Sequence, residues 1–182
     1  MKIAFINEAD QHIGLQYLTA VLKANGHEVK TFSDPRLFDD LYITIRRLNR
    51  IFDFQDAILK DFAEFNPGLI GFSVSSPIYR WACALAAKIK ERRDIPIIFG
   101  GVHATAVPER VIRKSFIDMV CVGEGEFPML ELANSMDRGQ PDYSIKNIWF
   151  KTPQGDIIRN DIRPLLDNLD VLPFPDQDLF YS

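Results

Sequence analysis

Four short apolar runs constrain this chain most. Residues 3–6, 69–75, 95–99 and 119–122 carry no charge and are too short for buried helices. Longer stretches with helical spacing lie between and after them. Residues 14–25 place Leu15, Leu18, Val21 and Leu22 on one face, and Gly26 follows as a left-handed cap residue would. Residues 81–92 are rich in alanine, residues 108–114 open with a proline in the first turn, and residues 127–136 follow the last run. With residues 28–32 as a further strand, the order alternates β and α. Strands apolar on both faces predict a parallel sheet covered by helices on both sides.

Two stretches depart from the alternation. Between the second and third strands, Leu37, Leu41, Ile45, Leu48 and Phe52 recur three or four apart, which predicts an extra helix before a connecting helix over residues 54–65. After Gly139 the pattern changes: residues 147–150 and 156–159 flank Pro153-Gln154-Gly155, a hairpin signature. From Pro164 onward the chain reads as loop, with further prolines at 173 and 175. The expected division is an α/β domain over residues 1–140 and a hairpin with a loop-rich tail over residues 141–182.

Composition excludes several partners. A chain of 182 residues suits one well-buried domain with an appendage. Lys plus Arg number 21 against 25 Asp plus Glu, with no sustained basic stripe, so nucleic acid is not an expected partner. No apolar stretch approaches the roughly 20 residues of a membrane span. The N-terminus turns polar at Asn7-Glu8 and reads as a strand, not a signal peptide. Cys83 and Cys121 sit within apolar patterns, as buried free thiols do in a reducing, cytoplasmic setting, and their spacing fits neither zinc nor an iron–sulfur cluster.

In an open parallel sheet, ligands bind beyond the carboxyl ends of the strands. The loops there begin at Asn7, Ser73, Gly100 and Gly123. No G-x-G-x-x-G follows the first strand and no G-x-x-x-x-G-K-[ST] occurs, which argues against a dinucleotide or a P-loop nucleotide. The third strand ends in Ser73 and Ser75 where a phosphoacceptor domain needs an aspartate, and Glu8 and Asp10 make the first loop too acidic for a flavin phosphate. What remains is a large ligand that spans several loops, with Gly100-Gly101 and Gly123-Glu124-Gly125-Glu126 allowing close backbone approach.

Several motifs fall in one order along the chain. They are Asp10-Gln11-His12-Ile13-Gly14, Gly26-His27-Glu28-Val29, Gly71-Phe72-Ser73-Val74-Ser75, Gly100-Gly101-Val102-His103-Ala104-Thr105 with Pro108-Glu109, and Gly123-Glu124-Gly125-Glu126. In that order they resemble the cobalamin-binding domains of radical SAM proteins, and Leu172-Pro173-Phe174-Pro175-Asp176 is similar to the lead into that family's barrel. The resemblance implies a flavodoxin-like (Rossmann-like) doubly wound sheet of five parallel strands in the order 2-1-3-4-5. It implies a cobalamin held at the carboxyl edge for methyl transfer or radical chemistry. It also implies a covalently linked barrel that carries SAM and a 4Fe-4S cluster on C-x-x-x-C-x-x-C. That cysteine motif is absent from these residues, so the chain reads as one domain of a longer enzyme and not as a catalyst by itself. A degenerate scaffold or substrate-recognition domain of the same fold is the alternative, with a free-standing flavin or nucleotide binder more remote.

The resemblance also points to residues. In cobalt-ligating relatives the motif is D-x-H-x-x-G; here Asp10 and His12 are in phase and Gly14 comes one residue early. His12 is therefore either an axial ligand to cobalt, with Asp10 holding its ring, or a residue lining the corrin pocket. Ser73 and Ser75 stand where the family has S-x-L, as hydroxyls for the nucleotide base or as caps of the next helix. Gly100 and Gly101 line the nucleotide arm or make a tight turn, and His103 shares their loop. Gly123 and Glu124 complete the set. Glu124 and Glu126 would accept from corrin amides, or Glu126 would serve the dipole of the helix it opens.

Overall fold

The computed structural model describes residues 1–8, 12–36, 45, 47 and 55–180. The extra helix expected between Leu37 and Phe52 falls, apart from isolated residues, outside this part, as does Asp10. The strands are β1 (Lys2–Glu8), β2 (Glu28–Asp34), β3 (Leu69–Ser73), β4 (Ile97–Gly100), β5 (Met119–Cys121), β6 (Ile148–Lys151) and β7 (Ile157–Arg159). The helices are α1 (Ile13–Ala24), α2 (Gln55–Phe65), α3 (Tyr79–Arg92), α4 (Val102–Ala106), α5 (Pro108–Ile112) and α6 (Glu126–Asp137). The five-residue α4 was not expected; its first-turn cap is Gly101, and no side chain caps it.

β2, β1, β3, β4 and β5 pair in parallel in that order, as the alternation and the resemblance predict. The sheet does not stop at five strands. β6 pairs antiparallel with β5 and β7 with β6, which makes seven. The hairpin is thus part of the sheet and not an appendage to it. β5 is buried along its whole length; left as an edge it would present unpaired backbone groups, and the hairpin covers them. A bidentate ion pair from Arg159 to Glu109 (2.7 and 3.2 Å) ties β7 to α5.

Alternation along the strands sends side chains to two cores. Ala4, Ile6, Ile70, Phe72 and Phe99 face α2, α3 and α5. Ile3, Phe5, Leu69, Ile98 and Met119 face α1 and α6, which pack against each other. Gly26 closes α1 in the left-handed region (φ +82°), donating to the Lys23 carbonyl while His27 donates to Leu22. At the carboxyl end of β2, the buried Asp34 accepts from the Trp81 indole and the Arg36 amide, both at 2.9 Å. That pins the edge strand to α3 and makes Trp81 a packing residue.

A cleft at the carboxyl edge

The carboxyl half of the sheet opens on its α1/α6 face into a cleft of about 170 Å³. Its floor follows from strand register. Phe5, Gly71 and Ile98 are direct neighbours across β1, β3 and β4, and they form one row facing the cleft. Ser73 and Gly100 pair in the row above, beside Cys121. Glycine stands in both rows: the Phe5 ring lies over Gly71 and flattens the floor there, and Gly100 leaves room where another residue would project a side chain. Leu15 and Leu18 of α1 and Met129 of α6 form the walls. A drug-sized ligand fills roughly 300–1,000 Å³; this cleft therefore takes one arm of a large ligand and leaves the rest on the sheet edge.

The rim is shaped by backbone. Gly101 has φ +88° and ψ −178°, a region open essentially to glycine alone. A Cβ there would lie 2.8 Å from the Val74 nitrogen and 2.9 Å from its oxygen. The loops after β3 and β4 are this close because they bond to each other, Val74 N to Gly100 O at 2.9 Å and His103 N to Val74 O at 3.0 Å. Gly123 (φ +85°) donates to the Thr105 hydroxyl at 3.0 Å. The buried Asn147 then joins that loop to the tail, donating to the Glu124 carbonyl (3.1 Å) and accepting from the Arg163 amide (2.7 Å).

Seven residues expected from the sequence meet on this cleft: Gly14, Ser73, Gly100, Gly101, Gly123, Glu124 and, on one of its two readings, Glu126. Glu124 is partly committed, since its carboxylate accepts from the Leu166 amide at 3.1 Å and holds the tail over the edge. Ser75, His12 and His103 stand outside the lining. His103 lies with its Nδ1 2.9 Å from Ser76 Oγ and its ring 4.2 Å from that of Tyr79, beside α3. Neither serine caps α3, which starts behind Ile78 without a side-chain cap. The His12 carbonyl receives the first amides of α1, while its Nε2 is buried with no hydrogen-bond partner among the described residues.

Sequence reasoning missed the floor. Phe5 and Ile98 read as ordinary core, and Gly71 drew notice only as part of a motif. A glycine inside an apolar strand was the available signal, because it marks close approach by something else. Cys121 was read as a buried thiol and is one; burial, with the Glu126 charge adding to it, pushes its pKa up to about 12. It therefore meets a ligand as a neutral S–H. Polar groups in the cleft are few, and the site is a shape-selective, mainly apolar slot with a carboxylate at its mouth.

Comparison with known proteins agrees with this geometry. The model of the B12 binding domain family matches residues 10–133, and the chain belongs to that family. An uncharacterized methyltransferase of Pyrococcus horikoshii is 29% identical over 169 residues, 92% of this chain and 33% of that protein. The anaerobic magnesium-protoporphyrin IX monomethyl ester cyclase of Rubrivivax gelatinosus is 26% identical over 159 residues, 85% of this chain and 26% of the cyclase. Among solved structures, the cobalamin-dependent radical enzyme OxsB with aqua-cobalamin and S-adenosylmethionine superposes with a TM-score of 0.75 at 15% identity, over 98% of this chain and 24% of OxsB. The radical S-adenosylmethionine methyltransferase TsrM of Kitasatospora setae, with cobalamin and a [4Fe-4S] cluster bound, gives 0.71 at 19% identity over 98% and 32%. At those identities the likeness is one of fold. The chain spans a third or less of the length of these relatives. No helix among the described residues is long and apolar enough to cross a membrane.

Proposed function

We propose that the chain holds a cobalamin at this edge, as the corrinoid-binding part of a cytoplasmic radical SAM enzyme. The observation that carries the reading is the glycine-floored apolar cleft between α1 and α6, placed at the carboxyl edge of a B12-binding-domain sheet. The residues present suit the group. The Phe5 ring, lying over Gly71, and the bare Gly100 would floor the flat base of the nucleotide arm, the α1 and α6 leucine and methionine side chains would flank that base, and Ser73 offers a hydroxyl at the rim. A bound corrinoid would supply a cobalt centre for methyl transfer or radical chemistry, together with SAM and a 4Fe-4S cluster on a linked barrel. The greater length of the relatives supports such a barrel, with residues 141–182 leading toward it from the hairpin. The chain's own work is to bind, orient and shield the cofactor. A scaffold of the same fold without cobalamin is the second reading, and the engagement of Glu124 by the tail favours it.

A desalting experiment separates the two. After incubation with hydroxocobalamin, corrin absorbance is expected to travel with the protein in equimolar amount; a colourless protein fraction would leave the scaffold reading standing. The role of His12 is tested on the same complex. Because His12 heads α1 outside the cleft lining, His12→Ala is expected to leave the visible spectrum of the bound corrinoid unchanged. A shift of the bands would instead make its Nε2 the axial ligand to cobalt.

A further inference from the structure

We propose that Glu126 reads the ligand in this cleft, its carboxylate accepting a hydrogen bond from a hydroxyl or an amide N–H of the bound molecule. The proposal rests on the corrinoid reading above. Glu126 is the first residue of α6 and lines the cleft. Its Oε2 is buried and has no hydrogen-bond partner among the described residues. An ionised carboxylate only accepts, and burying one of its oxygens without a donor costs folding free energy. A favourable helix dipole explains an acid in the first turn but does not require the oxygen to be shut away from water.

The neighbouring groups do not supply the missing donor. Arg163 gives Nη1 and Nη2 to a two-pronged pair with Glu131 at 3.1 and 2.9 Å, and its Nε, although buried and unpaired among the described residues, makes no bond to Glu126. The Cys121 thiol faces the Glu124 carbonyl at 3.9 Å. The side chains of Leu18 and Met129, which also line the cleft, have nothing to donate. Glu124, the acid that the sequence favoured for ligand contact, already accepts from Leu166. The open acceptor in the cleft is therefore two residues further on, at the entrance between α1 and α6. Two parts of a cobalamin carry donors of this kind, the ribose of its nucleotide arm and the primary amides around its corrin ring.

The test uses the 182-residue chain with Glu126→Leu, which keeps the bulk, and Glu126→Gln, which keeps an acceptor oxygen. Dissociation constants are measured spectroscopically for hydroxocobalamin and for dicyanocobinamide, which lacks the nucleotide arm, and the melting temperature is measured without ligand. Glu126→Leu is expected to weaken hydroxocobalamin by about tenfold or more and Glu126→Gln by less than about threefold. The unliganded Glu126→Leu chain should melt within about 4 °C of the wild type, since it loses an unsatisfied oxygen along with a modest helix-dipole interaction. A loss confined to hydroxocobalamin assigns the ribose hydroxyl as donor; an equal loss with dicyanocobinamide assigns a corrin amide. Wild-type affinity in Glu126→Leu, or a fall in its melting temperature well beyond about 4 °C, overturns the proposal while leaving the corrinoid reading intact. A wild-type chain that retains no corrinoid fails that reading first.

Discussion

Gly101→Ala is expected to cost the fold about 4 kcal/mol, combining backbone strain with an overpacked contact. On thermal unfolding that is a drop of roughly 8–16 °C for a chain of this size. Two penalties add. The residue sits at φ +88° and ψ −178°, where a Cβ is disfavoured whatever its surroundings. The new Cβ would also meet the Val74 nitrogen and oxygen at 2.8 and 2.9 Å. Those atoms are backbone, already fixed by bonds to Gly100 and His103, and cannot turn aside as a side-chain tip would. Relief comes only by separating the loops after β3 and β4, which carries Ser73 and Gly100 out of line and should abolish corrinoid retention. Gly100→Ala is the matched control. Its Cβ would stand 3.5 Å from the Cys121 Cβ, an ordinary contact, so a drop of no more than about 3 °C is expected. Equal melting of the two variants would defeat the conformational argument.

The contrast between these adjacent glycines shows where sequence reading reached its end. A Gly-Gly after an apolar run marks a turn that ligands can approach, and the turn is there. Which glycine is obligatory depends on how tightly a second loop lies against it, and no local pattern encodes that. The parallel order β2-β1-β3-β4-β5 was legible because strands buried on both faces have continuous apolar runs. The hairpin was legible from Pro153-Gln154-Gly155, but its docking on β5 was not, since a strand's partner is a tertiary choice. The same holds for side-chain direction. His103 shares the loop of Gly101 yet turns to Tyr79 and Ser76, away from the cleft. Glu126 was open to two readings, ligand contact or service to the helix dipole, and its unsatisfied oxygen is something only the folded surroundings reveal.

Gly71→Ala is expected to be the other severe change, and it tests the floor directly. The added Cβ would fall 2.4 Å from Cε1 and 2.5 Å from Cδ1 of Phe5, its partner in register on β1. Unlike Val74, this obstacle is a ring and is able to move. Phe5 is 4% exposed, however, and is packed with Leu15, Leu69 and Ile98. The open side is the cleft itself, so the ring should be driven into the ligand's space. Overpacking of this kind costs about 1–3 kcal/mol, while corrinoid affinity should fall more steeply than stability does. Phe5→Leu shortens the obstructing side chain and supplies the second arm of a double-mutant cycle. The pair Phe5→Leu/Gly71→Ala should recover about 1 kcal/mol or more relative to the sum of the single changes, since contacting residues couple on that scale. It should also regain part of the corrinoid affinity. Strict additivity in both measurements would mean that Phe5 and Gly71 do not share the row that forms the floor.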